Sequence, residues 1–168
     1  MSVLAVLRWP DRRLNEPAGA VAVFDAGLRH LAEDMLDTMY AAAGRGLAGP
    51  QVGAMLRIFV MDCRWKEGAP DPRVFVNPAI VTAEGEATRD EGCLSLPGLM
   101  VPVTRPARLR LRWQGLDGTW VTAGFDGVEA TCIQHERDHL DGILHIDRTT
   151  GEIRTILAPA LADLEAQK

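Results

Sequence analysis

Gln134-His135-Glu136-Arg137-Asp138-His139 places two histidines four residues apart, and residues four apart lie on one face of an α-helix. Asp126 and Glu129 stand in capping-box register before this stretch, and Gly142 supplies a stop, so a helix is predicted from Asp126 to about Asp141. Val128 and Cys132 lie seven and three residues before His135 and project to the same side. The histidines therefore point where apolar residues point, into the protein. A solvated face with incidental histidines is the plainer reading, and the apolar neighbours argue against it. Two imidazoles on consecutive turns can bind one metal ion, with Glu136 beside the first as a general base.

Outward from that helix the pattern is mixed. Residues 1–24 carry Pro10, Asp11, Asn15, Pro17 and Gly19 and read as loop with short strands. Asp25 is a cap for an amphipathic helix over 26–42, with Leu28, Leu31, Met35, Leu36 and Met39 as its core stripe and Gly44 as its stop. Strands are expected at Arg57–Cys63 and at Val74–Val81, where Asn77-Pro78 implies an edge or a bend. Arg108–Trp113 alternates as a half-buried strand does, and Asp117-Gly118 signals a hairpin to a partner at Trp120–Phe125. Thr149 and Glu152 suggest the cap of a last helix, which Pro159 should kink or divide. Strands and three helices without regular alternation indicate an α+β fold.

Composition narrows the class. A chain of 168 residues with 47% hydrophobic and 24% charged residues fits one ordinary domain, 1–168, able to bury a core without disulfides. The formal charge of -5 disfavours direct nucleic-acid binding. No apolar run is long enough for a membrane span, and no signal peptide is evident, so a cytoplasmic setting is expected. Three cysteines, Cys63, Cys93 and Cys132, do not make a disulfide framework. Cys63 reads as a small buried hydrophobe.

A catalytic metal site of this kind has three protein ligands and an open position. His145 and Glu152 are downstream candidates for the third. Upstream, Glu91-Gly92-Cys93-Leu94-Ser95 sits in a loop bounded by Gly and Pro, and its thiolate would be a strong ligand. A third segment runs Gly44-Arg45-Gly46-Leu47-Ala48-Gly49-Pro50-Gln51. A phosphate loop there is disfavoured, because no Gly-Lys-Ser/Thr follows. Small residues also let backbone approach a ligand closely.

Together these three segments resemble the three motifs of the peptide deformylases, Gly-x-Gly-Leu-Ala-Ala-x-Gln, Glu-Gly-Cys-Leu-Ser and Gln-His-Glu-x-Asp-His. The resemblance extends to Leu7-Arg8-Trp9-Pro10-Asp11 and Val76-Asn77-Pro78. Gly49 stands where the family usually has Ala, and Leu99 and Met100 stand where many members carry Arg. The resemblance implies Cys93, His135 and His139 as metal ligands and Glu136 as general acid and base. It implies Gln51 and the Leu94 N–H as oxyanion donors. It implies one divalent ion, Fe(II) in the cell, with Zn, Ni or Co as substitutes. It also implies an α+β fold with small antiparallel sheets around the metal helix, and helices towards each end of the chain.

The chemistry the resemblance implies is hydrolysis of the formyl group from N-formylmethionyl peptides and nascent chains, with the ribosome surface as the expected meeting place. A divalent ion activates water and polarises the formyl oxygen. One oxyanion donor can be worth about 3 kcal/mol. Gly44, Arg45, Gly46, Glu91, Met100, Val128 and Cys132 are the expected substrate contacts, with Val128 and Cys132 as an apolar wall for the methionine side chain. A zinc endopeptidase would leave the Glu91–Ser95 segment unexplained. A non-catalytic metal-binding relative would usually have lost a ligand, Glu136 or Gln51, and none is lost.

Overall fold

In the computed structural model, residues 2–166 are described. Helix α1, Ala26–Ala41, starts where expected: the Asp25 side chain accepts from the Leu28 N–H at 3.0 Å. Five strands follow one another into a single antiparallel sheet. They are β1 (Gly46–Ala48), β2 (Ile58–Met61), β3 (Arg73–Glu84), β6 (Arg108–Gln114) and β7 (Trp120–Asp126), in spatial order β1-β2-β3-β6-β7. A separate hairpin pairs β4 (Ala87–Cys93) with β5 (Leu96–Arg105). Helices α2 (Gly127–Leu140) and α3 (Gly151–Ala166) complete the α+β arrangement.

Alternation along β2 explains the layering. Side chains of a strand point to opposite faces in turn. Ile58 and Val60 join Met35, Met39 and Val76 beneath α1, whereas Phe59 and Met61 join Phe75, Leu111, Ala130 and Ile133 beneath α2. Phe59 stacks on Phe75 with ring centroids 4.6 Å apart. The sheet is thus held between the two helices, and β2 is buried on both faces. The β4–β5 hairpin forms a third core with Leu96, Leu99, Val101 and Val103, and α3 lays Ile153, Leu157, Leu161 and Leu164 against it.

Several expectations change. β3 is not an edge: it lies between β2 and β6, and Asn77-Pro78 is absorbed as an irregularity in register between Val76 and Ala79. Asn77 adopts φ +49, and its amide bonds to both backbone groups of Val21 and to the Gln114 side chain, which stabilises the bend. The Asp126–Glu129 capping box does not form; Asp126 makes no side-chain cap bond, and Glu129 lies 3.6 Å from Arg73 instead. Pro159 does not divide α3, and Thr150 rather than Thr149 bonds to its first turn. Residues 2–24 hold a 3-10 helix at Arg12–Asn15 and one isolated bridge, Gly19 to Leu56, rather than strands.

The largest difference is the hairpin. Gly92, Pro97 and Gly98 suggested a loop, yet Glu91 to Cys93 end β4. The glycine and proline are accommodated in a register shift, with Gly92 opposite Met100 and Cys93 opposite Leu96. Likewise Gly44–Gln51 is neither a phosphate loop nor a helix cap alone. It contains β1 and a 3-10 helix at Gly49–Val52. At Gly49 a Cβ would stand 2.6 Å from the Ala54 carbonyl oxygen and 2.8 Å from that of Leu56, so glycine is what this local path accepts.

Candidate metal centre

Helix α2 buries eight of its 14 residues, and five of those eight are polar: Gln134, His135, Glu136, Asp138 and His139. Buried polar groups need partners, and each partner identifies a piece of the site. Gln134 donates to the Pro106 and Ala130 carbonyls. His135 Nδ1 pairs with Glu91 Oε2 at 2.8 Å, which leaves Nε2 for the Cys93 side of the cluster. His139 Nε2 lies 3.3 Å from Cys93 Sγ. The candidate ligand atoms of Cys93, His135 and His139 all lie within 4.8 Å of one another. Donors around a tetrahedral ion sit roughly 3.5 Å apart, and one thiolate with two imidazoles suits a borderline-soft divalent metal. The residues fit such an ion.

Of the three candidates for third ligand, Cys93 alone joins the histidines. His145 is buried, but its Nε2 is directed to the Leu99 carbonyl at 3.5 Å, and its ring centroid is 5.6 Å from that of His135. Burial pushes its pKa down to about 4. Glu152 is exposed in the first turn of α3.

Glu136 is buried beside the cluster, with Oε2 lacking a partner among the described residues. Burial raises its carboxyl to about 7, against the opposing charge of His135. A Cβ on Gly46 would collide with its Oε1 and lie 2.8 Å from Cys132 Sγ; only glycine lets this backbone pass. Gln51 is oriented from both ends. Its Oε1 accepts from the Ala48 N–H at 2.9 Å, and its Nε2 faces Ser95 Oγ at 3.1 Å and Cys93 Sγ at 3.6 Å. The N-terminal segment joins both motifs, with the Leu7 N–H on the Gln51 carbonyl and the Trp9 N–H on that of Ser95.

Behind His135 lies an ionic chain that sequence reasoning missed. Arg105 grips both oxygens of Glu91 and donates to Asp138 Oδ2 at 2.8 Å; Arg148 donates to both oxygens of Asp138. Burial opposes the Glu91 charge, but hydrogen bonds from His135 and Arg105 hold its pKa at about 2. Only the position of Asp138 within the motif hinted at this. Arg105 thus supplies the cationic partner of Glu91, while position 100 carries the apolar Met100.

A cavity of about 960 Å³ opens over the cluster, bounded by Gly44, Gly46, Gln51 and Leu94 on one side and by Glu91, Met100, Cys132 and Glu136 on others. Val128 is at its mouth and 44% exposed, not turned into the interior as its spacing suggested. Met100 is 59% exposed, and its Sδ rests over Gly92. Arg45 reaches away, to the Cys63 carbonyl and to Glu67.

The polypeptide deformylase family model matches residues 3–154. The chain belongs to the peptide deformylase family. It is 48% identical over 147 residues to the peptide deformylase of Alkalilimnicola ehrlichii, covering 88% of this chain and 82% of that one. Among solved structures, a Legionella pneumophila peptide deformylase superposes with a TM-score of 0.90 at 37% identity, covering 99% of each chain. A plant peptide deformylase does so with 0.94 at 32%, covering 98% of this chain and 90% of that one. The chain is accordingly a metal-dependent hydrolase that deformylates new polypeptides. Among the described residues, no helix is long and apolar enough to cross a membrane.

Proposed function

We propose that Cys93, His135 and His139 hold one divalent ion, Fe(II) in the cell with Zn, Ni or Co as substitutes, and that Glu136 carries the proton in deformylation. The observation that carries this reading is the buried Cys93–His135–His139 cluster with Glu136 beside it in one cavity. The whole chain, 1–168, then acts as one catalytic domain in the cytoplasm. When bound, the ion supplies Lewis acidity for the attacking water and the formyl oxygen.

The protein's own groups do the rest. The Glu136 carboxylate takes a proton from the attacking water and returns it to the leaving amine. Gln51 Nε2, turned inward by the Ala48 N–H, and the backbone N–H of Leu94 donate to the formyl oxygen as charge builds there. Glu91, fixed by Arg105, holds the His135 ring in one tautomer. Gly44, Gly46, Glu91 and Met100 border the peptide, Arg45 does so through its backbone, and Cys132 walls the methionine side chain with Val128 at the mouth. The products are formate and a free α-amino group. The ribosome surface is where the enzyme would meet nascent chains; co-sedimentation with ribosomes tests that point.

The decisive experiment is formate release from formyl-Met peptides by anaerobically prepared, Fe(II)-loaded protein. Glu136→Ala should keep its metal and lose turnover by at least about 100-fold. A fully metal-loaded parent that releases no formate would mark a non-catalytic relative. Loss of metal together with activity in Glu136→Ala would make Glu136 a ligand instead.

A further inference from the structure

β4 presents Cys93, Glu91 and Arg89 on one face, because alternate residues of a strand share a face. The first is a candidate ligand, and the second bonds to His135. Arg89 is the next step outward, and it lines the same cavity. At roughly 3.3 Å per residue, its Cα lies about 13 Å along the strand from that of Cys93. It is exposed and has no hydrogen bond or ion pair among the described residues. Lys66 also lines this cavity; its Nζ donates to the Ala43 carbonyl at 2.6 Å.

The other charges lining the cavity are accounted for. Arg45 is paired with Glu67. Glu91 is held by Arg105, and Glu136 is buried beside the cluster. Asp90, next to Arg89 on β4, is the one acid left at the rim, against the two cations Arg89 and Lys66. A chain of formal charge -5 thus carries a locally cationic rim at the mouth of its catalytic cavity.

We propose that Arg89, with Lys66, recognises a carboxylate on the substrate, so that formylated peptides with Asp or Glu as second or third residue are preferred. This rests on the deformylase reading of the cavity. An extended peptide advances roughly 3.4 Å per residue, so a side-chain carboxylate two or three residues from the formyl group comes within reach of the long Arg89 side chain. Arg89 is a specificity residue in this role and does not touch the reacting atoms.

The test compares C-terminally amidated formyl-Met tripeptides carrying Asp, Ala or Lys at the third position, and a second set varied at the second. kcat/KM comes from formate release by the Fe(II)-loaded parent. Dissociation constants come from calorimetry on metal-loaded Glu136→Gln, which separates binding from turnover. At low salt the order should be Asp over Ala over Lys in at least one set, by about two- to five-fold per step, as for an exposed ion pair. The spread should shrink at high salt. In Arg89→Ala the Asp-to-Ala ratio should fall towards one, and in Arg89→Glu it should invert. Formate release without any such order, or with the same order in Arg89→Ala, overturns the rim. The same order in dissociation constants with no formate release would leave the rim standing and overturn the deformylase reading.

Discussion

Replacing Arg105 with methionine tests whether the ionic chain behind His135 holds the site in shape. Arg105 makes two bonds to Glu91 and one to Asp138, and all three side chains are 4–6% exposed. Asp138 would keep Arg148 on both oxygens, so the loss falls on Glu91, left with His135 as its one side-chain partner among the described residues. Breaking a buried pair by removing one member costs about 3–5 kcal/mol. For a chain of this size, that lowers Tm by roughly 6–20 °C. Metal affinity should also fall, by about 10- to 100-fold, because the His135 ring loses its anchored partner. Adding Glu91→Gln to Arg105→Met should recover most of the stability, since the amide oxygen still accepts from His135 and position 91 no longer carries a buried, unpaired charge. Urea unfolding of the metal-free variants, followed by tryptophan fluorescence, measures the first effect, and chelator competition measures the second. A single variant within about 1 kcal/mol of the parent, or a double variant no better than the single, would refute the argument.

Three further outcomes are expected. Cys93→Ala should lose most of about one bound ion per chain by elemental analysis; full retention would reinstate His145 or Glu152 as third ligand. Gly49→Ala should destabilise by about 1–3 kcal/mol, because the new methyl meets two backbone oxygens, and activity should fall as Gln51 shifts. Unchanged unfolding and kcat/KM would show that the segment relaxes around it. His145 titrates near 4 when folded and near 6.5 when unfolded, so between those values only the unfolded chain binds the proton. Its stabilising contribution is complete above pH 6.5 and lost as pH falls through 4, by at most about 3 kcal/mol. His145→Gln should flatten that acid limb in urea titrations of the metal-free protein, and an identical limb would remove His145 as its source.

What could be read in advance follows the range of the interactions. The ligand pair on α2 and the Asp25 cap are local, three or four residues apart, and the chain states them directly. The β4–β5 hairpin was hidden because Gly92, Pro97 and Gly98 serve a register shift, and such residues look the same in a loop. The capping box at Asp126 failed because Glu129 had an arginine across the fold to approach. Arg105 could not be assigned from the sequence: its acceptors lie 14 and 33 positions away, and its side-chain direction depends on pairing that the sequence does not spell out. Arg89 was passed over for the same reason, since its alignment with Cys93 exists only once β4 is a strand.

That alignment couples chemistry to folding fidelity. A strand slipped by one residue turns every side chain to the opposite face. In β4 such a slip would carry Cys93, Glu91 and Arg89 outward together. A hairpin paired one position out could still bury a greasy underside, yet it would offer the histidines no sulfur. Metal uptake by this chain is therefore also a proofreading readout, able to count the fraction of molecules whose hairpin has closed in the correct register.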